Sequence, residues 1–417
     1  AHPRGPAEAF LALIRQQVYA RARDSYGAYG LETDTLPPID GLVDAAKALE
    51  EALGLLSRPM KALIARLMKL LDEEASSMDT ALRQRIEATA RGLRRRADAE
   101  VDAWRGMLRT LYAEAPHSPA PLSDIAEPTD TFVDWFSVSR EQGRDVDAAM
   151  HRHWIDPTIP FTETVAAPAH GVLITSATLR DGTGDVENDW RAALEVTGAV
   201  HLARPAIRAA SPSPFDYPAQ TRVFIVTDVA RDDAGQVAAA YRELFLAAGG
   251  GALGLFTAIA RLRAVQERIA APLEDAGLAL LAQHVDRMDT ASLIEIFRAE
   301  ENTCLLGTDA IRDGVDVPGR ALRLVVFDRV PWPRPTILHR ARRNAFGGSA
   351  YDDRITRLRL KQAYGRLTRR ADDHGVFVLL DSRTPTRLLG AFPPGVEVRR
   401  VGLAEAVAET RGFLLKP

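Results

Sequence analysis

The residues with the clearest chemical potential lie in the run 360–370, near the carboxyl end of the chain. The run predicts a helix that opens at Gln362 and carries Arg366 and Arg369 three residues apart on one face. A planar guanidinium group can bind phosphate oxygens in bidentate geometry and can neutralise charge as a phosphoryl group departs. The alternative is a basic helix face that is only solvated, which is common on exposed helices.

The region around these arginines is basic, although the whole chain is not. Between residues 320 and 400 there are 18 Arg and Lys against 7 Asp and Glu, whereas the formal charge of the chain is −3. A local positive field attracts the phosphates of a nucleotide or of a nucleic acid. Pairing of these arginines with acidic residues elsewhere on the surface would explain the same composition.

Length and composition limit the possible classes of protein. With 417 residues, of which 46% are hydrophobic, we expect two or three domains of about 150 residues each. There is no signal peptide and no apolar run of about 18 residues, which predicts a cytoplasmic protein without membrane contact.

The few cysteines and histidines leave little room for metal chemistry. Cys304 is the single cysteine and lies in an apolar run, so we expect it to be buried in a strand. One cysteine excludes an intramolecular disulfide and an iron–sulfur cluster ligated by this chain alone. His151 and His153 would share one strand face, but no third ligand is evident, so no metal site is expected.

Periodicity divides the chain into a helical first part and a mixed second part. Apolar residues recur at helical spacing in the segments 9–22, 39–56, 59–71 and 78–111. A Pro- and Ser-rich linker is predicted at 116–128, followed by two strands at 132–138 and 149–155.

Beyond residue 170, strands and helices alternate. Strands are predicted at 171–174, 221–226, 251–257, 278–283, 303–306, 322–327 and 376–380. Helices are predicted at 236–248, 260–271 and 290–298. This alternation predicts an α/β fold with a largely parallel sheet, and ligands in such folds bind at the carboxyl ends of strands.

Three loops at predicted strand ends carry polar side chains. Ser176 and Thr178 follow the first strand, and Thr257 precedes a helix whose amino terminus could bind an anion. Helix capping would explain these hydroxyls equally well. The third loop, 307–319, contains three glycines and several aspartates; it could bind a ribose or position an arginine, or it could be only a turn.

The order and spacing of these loops resemble the carboxyl half of superfamily 2 helicases of the DinG/XPD type. The resemblance extends over residues 131–390. Ile311, Arg312 and Asp313 depart from the usual motif V, and Ala258 replaces the usual Ser of motif IV. The matching segments are 175–179 (motif III), 255–257 (motif IV), 307–319 (motif V), the proline-rich run 330–335 with the arginines after it, and 362–369 (motif VI).

The resemblance implies a fold and a division of the chain. It implies an arch-like helical region at 1–125, the closing strands of motor domain 1 at 126–180, and a RecA-like motor domain 2, with a parallel sheet flanked by helices, at 181–417.

The resemblance also implies roles for individual residues. Arg366 and Arg369 would be arginine fingers and, with Gln362, would form the catalytic set. ATP binding and its coupling to movement would involve Ser176, Thr178, Gly314 and Asp316. The residues implied in DNA contact are Thr257, Thr308 and Arg312.

The sequence contains no Gly-x-x-x-x-Gly-Lys-[Ser/Thr] phosphate loop and no Asp-Glu-Ala-His box. We therefore expect a fragment that is inactive alone and shares ATP and Mg²⁺ with a missing amino-terminal motor domain. As part of a monomeric helicase it would move on single-stranded DNA and unwind duplex. The alternatives are a non-catalytic nucleic-acid-binding or protein-docking module, and a family member with an added nuclease domain.

Overall fold

The computed structural model describes residues 5–22, 30–74, 77–113, 131–141, 143–308, 311, 317 and 319–414. The chain divides into two compact units. The first comprises Ala1–Pro157 and Pro335–Ala345, and the second comprises Thr158–Arg334 and Phe346–Pro417. The functional division at residues 125 and 180 stays a prediction, and the predicted linker at 116–128 lies outside the described residues.

The first unit combines helices with a small sheet. Its strands β1 (Leu31–Asp34), β2 (Phe132–Glu141) and β3 (Arg144–Trp154) form an antiparallel sheet in that order. The helical region and both later strands agree with the prediction, whereas β1 was not foreseen. The helices of the amino-terminal part are α1 (Pro6–Arg21), α2 (Leu42–Glu74), α3 (Thr80–Arg94) and α4 (Asp102–Arg109), with a π-helical segment at Arg95–Val101.

The predicted separation of the helical segments 39–56 and 59–71 is wrong, because α2 continues through Pro59. A proline inside a helix removes one backbone hydrogen bond and crowds the preceding turn. Here the buried residues Leu42, Ala46, Ile64 and Leu71 extend on both sides of Pro59 along the same helix. Burial of a large aliphatic side chain contributes roughly 1.5–3 kcal/mol, and a proline inside a helix costs about 3 kcal/mol, so packing on both sides of Pro59 can offset its cost.

The sheet of the first unit contains a stack of aromatic rings. Trp135 of β2 lies against both histidines of β3, with ring centroids 4.8 Å from His151 and 5.1 Å from His153. The predicted common strand face of the two histidines is confirmed by this stack. Ser137 Oγ lies 2.7 Å from His151 Nε2. Among the described residues, no group of three His, Cys, Asp or Glu side chains could hold a metal ion.

The second unit is built on a seven-stranded sheet in the order β10-β4-β9-β8-β5-β7-β6, and each described neighbouring pair is parallel. This is a RecA-like α/β sheet flanked by helices, as predicted. The strands are β4 (Thr221–Val226), β5 (Ala252–Leu255), β6 (Ala279–Ala282), β7 (Thr303–Gly307), β8 (Leu324–Phe327), β9 (Gly375–Leu379) and β10 (Val398–Val401), of which the last was not foreseen.

The helices of the chain after residue 157 complete the fold. They are α5 (Thr158–Phe161), α6 (Val186–Thr197), α7 (Tyr217–Gln220), α8 (Ala234–Ala248), α9 (Ile259–Asp275), α10 (Thr290–Ala299), α11 (Ile337–Ala345, in the first unit), α12 (Ser349–Tyr364) and α13 (Leu403–Leu414).

Both faces of the large sheet are buried. Phe224 and Val226 of β4 belong to the core that includes α8, α9 and α13, whereas Val223 and Ile225 belong to the core with α10 and α12. Strands covered on both faces have nearly continuous apolar sequences, which is why they were recognisable. Cys304 is a buried residue of β7, as expected, and burial raises the pKa of its thiol to about 12.

The predicted strand at 171–174 is absent. The segment has no regular secondary structure, and the side chain of Leu173 is 90% exposed. A strand needs a neighbouring backbone to satisfy its N–H and C=O groups. No strand in the described part of the chain pairs with this segment.

Among the described residues, no helix is long and apolar enough to cross a membrane.

We expect the first unit to lose stability as the pH falls below 6.5. Burial, and then the charge of His153, lower the pKa of His151 below its ordinary value of 6.5. Between the folded-state pKa and 6.5 the unfolded chain binds more protons, so acidification favours unfolding. The slope for one proton cannot exceed about 1.4 kcal/mol per pH unit. Urea unfolding, followed by tryptophan fluorescence at about pH 7.5 and about pH 5.5, measures this loss.

His151→Gln should flatten that dependence. The matched control is His170→Gln, which changes an exposed histidine of the second unit and should leave the dependence of the first unit as in the wild type. An equal slope in wild type and His151→Gln would contradict the assignment.

Candidate functional site

The two arginines of the run 360–370 lie in a turn, not on a helix. Helix α12 ends at Tyr364, two residues after Gln362, so the predicted helix opening at Gln362 is wrong. After Gly365 the chain tightens, with the N–H of Leu367 donating to the carbonyl of Tyr364 at 3.0 Å. Tyr364 and Leu367 are both buried in the core on this face. The chain therefore turns back toward β9 instead of extending the helix.

Two buried polar side chains fix the backbone of this turn. One Asp373 carboxylate oxygen accepts the N–H groups of Arg369 and Arg370, each at 2.7 Å. The amide of Gln220 donates to the carbonyls of Arg370, Ala371 and Asp373 at 3.2, 2.9 and 3.1 Å. Gln220 immediately precedes β4, the neighbour of β9. The turn is therefore attached to the amino-terminal edge of the sheet.

The packing of Leu367 also fixes the backbone of this turn. A Cβ atom added at Gly375, the first residue of β9, would lie 2.7 Å from the Cβ of Leu367. Only glycine allows this close approach. Because Leu367 lies between Arg366 and Arg369, its packing holds the backbone from which both guanidinium groups extend. We define the arginine turn as residues 365–373.

A second polar cluster lies at the carboxyl-terminal edge. Thr257 and Thr308 follow the adjacent strands β5 and β7, and the N–H of Phe256 donates to the carbonyl of Gly307 at 2.9 Å. The N–H of Thr257 donates to Asp328 Oδ1 at 3.1 Å. The N–H and hydroxyl of Thr308 both donate to Gln283 Oε1, at 3.0 and 2.9 Å.

Buried charges support this edge. Asp328 is fully buried, and its Oδ2 accepts from Arg261 Nε at 2.6 Å. Burial raises the pKa of Asp328, and Arg261 opposes that rise. Arg261 also donates to the carbonyl of Arg231 at 2.8 Å, and Arg231 donates to both oxygens of Asp381 at 3.2 Å. We call these four side chains, Asp328, Arg261, Arg231 and Asp381, the carboxyl-edge network. A carboxylate this deeply buried needs such partners.

The comparisons with known proteins point in one direction. A family model described as the helicase C-terminal domain matches residues 241–394. The ATP-dependent helicase DinG of Mycobacterium tuberculosis is 40% identical over 161 residues, covering 36% of this chain and 23% of that protein. The ATP-dependent DNA helicase YoaA of Escherichia coli is 30% identical over 262 residues, covering 58% and 39%. A solved structure titled XPD helicase is 12% identical with a TM-score of 0.50, covering 95% of this chain and 62% of that one.

These matches support the resemblance of the chain to the carboxyl-terminal portion of DinG/XPD-type superfamily 2 helicases. The chain spans less than two fifths of the length of the DinG and YoaA relatives. The XPD structure supports the fold alone, since its identity to this chain is low. The motif names used below for the two polar edges are those that the resemblance predicts.

Parallel strands separate the predicted site residues into two groups. The threonines predicted for motifs IV and V follow strands and therefore lie at the carboxyl edge, whereas the arginine turn precedes β9 and lies at the amino edge. Gln362 is half-buried in the last turn of α12. Arg312, Gly314 and Asp316 lie outside the described residues.

The two residues predicted for motif III lie outside the strands of the large sheet. Ser176 and Thr178 lie in the exposed segment that was predicted to follow a strand. Their hydroxyl oxygens are 3.2 Å apart, and the N–H of Thr178 donates to Ser176 Oγ at 3.1 Å. The pair forms a local turn. The fold of the second unit does not by itself indicate a function for either hydroxyl group.

Several residues that shape these edges were missed from the sequence. Asp328 directly follows an apolar strand, and a charge at that point of the sequence was a usable signal. Asp373 follows the predicted motif VI segment 362–369, but its position in the sequence does not indicate that it accepts two backbone N–H groups. Gln220 and Arg261 had no recognisable signal, because their partners lie 153 and 67 residues away in the sequence.

Part of the basic excess between residues 320 and 400 is structural. Arg329 pairs with Asp232 at 2.6 Å, Arg354 with Glu195 at 2.7 Å, and Arg399 with Glu405 and Glu409. The expected pairing with acidic residues elsewhere is therefore present. The positive field available to a phosphate is smaller than the count of residues indicates.

We expect Asp373→Ala to loosen the arginine turn without unfolding the second unit. The substitution leaves two backbone N–H groups without their acceptor, which costs about 1–3 kcal/mol for a buried donor. Hydrogen–deuterium exchange at Arg369 and Arg370 should accelerate, while exchange in β9 stays slow. Asp372→Ala, at the exposed neighbouring position, is the control. Equal exchange at Arg369 and Arg370 in the two variants would refute the role of Asp373.

Proposed function

We propose that the protein containing this chain hydrolyses ATP to move along single-stranded DNA and to unwind duplex. This chain supplies the second RecA-like motor domain. The observation that carries the proposal is the arginine turn, a rigid motif VI backbone within the matched helicase C-terminal domain. The triphosphate and Mg²⁺ require a phosphate loop, which this sequence lacks. A phosphate-loop motor domain is therefore the partner that completes the site.

The arginine turn supports a role in phosphoryl transfer. Charge develops on the phosphate oxygens as the bond to the leaving group breaks, and guanidinium groups already in place stabilise it. Asp373, Gln220 and Leu367 hold the backbone of Arg366 and Arg369 before any ligand binds. In this proposal Gln362 senses the nucleotide together with Gly314 and Asp316 of motif V.

The carboxyl edge supports contact with the DNA backbone. Thr257 precedes α9, whose N-cap residue Ala258 makes no side-chain capping hydrogen bond. The first N–H groups of a helix that lacks such a cap can bind a phosphate oxygen, and the helix dipole favours the negative charge. Within the described part of the chain the hydroxyl of Thr257 has no hydrogen-bond partner. Thr257, Thr308 and Arg312 would contact the phosphates and not the bases, which gives binding indifferent to sequence.

The exposed segment 171–179 supports an additional contact with the partner motor domain. Val172, Leu173 and Ile174 are all exposed, an unusual arrangement for three consecutive large aliphatic residues. An extended apolar segment of this kind can add a strand to another sheet. Ser176 and Thr178 would then lie near the partner's nucleotide site and couple hydrolysis to domain movement.

Arg366→Ala in the protein that contains both motor domains should abolish ATP hydrolysis. Loss of an arginine finger lowers turnover by about 10³-fold or more. Binding to single-stranded DNA should change little, because the arginine turn lies at the edge of the sheet opposite to Thr257. Steady-state ATPase and fluorescence anisotropy measure the two quantities.

The control for this experiment is Arg370→Ala, which removes an exposed arginine of the same turn and should leave turnover near wild type. Wild-type turnover in Arg366→Ala would contradict the catalytic assignment. A wild-type protein that binds DNA without hydrolysing ATP would favour a non-catalytic nucleic-acid-binding module instead.

This chain alone should bind single-stranded DNA weakly and lose affinity as salt increases, since phosphate contacts release counterions. Thr257→Val removes one hydroxyl donor and should weaken binding by about threefold to tenfold, the equivalent of one hydrogen bond. Thr386→Val, at an exposed threonine of the same unit, should bind like the wild type. Anisotropy titrations at two salt concentrations test both statements. Undetectable binding at low salt, or equal affinity of the two variants, would refute this interface.

A further inference from the structure

The segment directly after motif III is attached to helix α12, which leads into the arginine turn. Arg357 Nε donates to Asp181 Oδ1 at 2.8 Å, and Arg357 Nη2 donates to Asp181 Oδ2 at 2.5 Å. The side chains are only 8% and 9% exposed. A bidentate pair that is shielded from water is strong and directional. It fixes both the distance and the orientation of residue 181 relative to α12.

Lys361 adds a second attachment one helical turn later. Its ammonium group donates to the carbonyls of Arg180 and Asp181, at 2.8 and 3.4 Å. Residues four apart lie on the same face of a helix, so Arg357 and Lys361 approach the segment together. Burial lowers the pKa of Lys361, as expected for an ammonium group enclosed by this contact. Gln362 is the next residue along the helix.

Backbone contacts and a second carboxylate, that of Asp189, complete the attachment. Gly182 has φ +84°, and a Cβ added there would lie 2.4 Å from the carbonyl oxygen of Gly390. A Cβ at Gly390 would lie 1.9 Å from the carbonyl oxygen of Gly182, so neither position accepts a side chain. Asp189 Oδ1 accepts from the N–H groups of Gly182 and Thr183 at 3.0 and 2.8 Å.

The attachment ends abruptly on the amino-terminal side. Every residue from 171 to 177 is exposed, and the segment forms no helix or strand. The chain therefore passes from an exposed segment that contains Ser176 to a firmly held one within a few residues. Any displacement of the predicted motif III segment meets its first fixed point at residues 180 and 181.

We propose that Asp181 and Arg357 are positioning residues that couple motif III to motif VI. A displacement of segment 171–179 is transmitted through the ion pair to α12, and from α12 to Gln362 and the arginine turn. This inference rests on the proposed function, because it describes how nucleotide chemistry and DNA movement are linked. The ion pair itself contacts neither ATP nor DNA.

The test compares two arginines on one helix in the protein that contains both motor domains. Arg357→Gln breaks the buried pair, whereas the control Arg354→Gln breaks the more exposed pair with Glu195 one turn earlier. We expect Arg357→Gln to keep DNA binding and DNA-free ATPase within about twofold of wild type, and to reduce both DNA-stimulated ATPase and strands separated per ATP about tenfold. Arg354→Gln should retain both coupled quantities.

Rescue distinguishes coupling from general damage. The exchanged pair Asp181→Arg with Arg357→Asp should recover part of the coupling lost in either single substitution, since coupled residues deviate from additivity. If Arg357→Gln unfolds at a lower temperature than the wild type, the test uses Asp181→Asn instead, because asparagine keeps the shape of the aspartate side chain. Coupling in these variants equal to that of Arg354→Gln would overturn the proposal.

A measurement on this chain alone separates the proposal from the proposed function. Hydrogen–deuterium exchange at Gly182 and Thr183 should accelerate in Arg357→Gln and remain slow in Arg354→Gln. A wild-type protein without ATPase would refute the proposed function, while accelerated exchange would still establish the attachment. Unchanged exchange at these amides would overturn the attachment whatever the enzyme does.

Discussion

The structure of the second unit depends on the burial of a parallel sheet on both of its faces. Alternate residues of β4 enter opposite cores, so neither face of the strand can carry a polar group without a partner. Polar chemistry is therefore confined to the strand ends. Every polar side chain discussed for this sheet, from Gln220 to Asp381, lies at one of its two edges or on a helix that covers it.

Both edges contain buried polar groups that need partners, and the two edges provide these partners differently. At the amino edge, Asp373 and Gln220 satisfy backbone groups of a turn, which leaves that turn rigid. At the carboxyl edge, the carboxyl-edge network satisfies buried charges and holds the N–H of Thr257. Removing one partner from a buried ion pair costs about 3–5 kcal/mol, whereas an exposed pair contributes about 0.2–1 kcal/mol. Asp328 and Arg261 therefore matter more to this edge than exposed pairs such as Arg208 with Glu187.

Helix α12 connects the functional elements. Its central residues hold the segment after motif III, and its last turn carries Gln362 and leads to the arginine turn. A helix is stiff along its axis, because successive residues are linked by backbone hydrogen bonds. The same residues that cover the sheet can therefore transmit a displacement. The arginines of this region have two kinds of role. Some guanidinium groups, such as that of Arg357, form structural ion pairs, whereas Arg366 and Arg369 are proposed to act in phosphoryl transfer.

The sequence by itself determined the fold class, most of the strands of the large sheet and the resemblance to DinG/XPD-type helicases. Strands buried on both faces are continuous apolar runs, and the motifs lie in fixed order along the chain, so both are visible in one dimension. The tertiary structure alone decided that Gln362 lies in the last turn of a helix, that α2 passes through Pro59, and that 171–174 forms no strand. These three features depend on partners elsewhere in the structure. The turn at Arg366 forms because Leu367 packs on Gly375 and because Asp373 accepts two backbone N–H groups. A strand forms only where a neighbouring strand can pair with it. Local periodicity carries no information about such contacts, and for this reason Gln220, Arg261 and Arg357 became recognisable only in three dimensions.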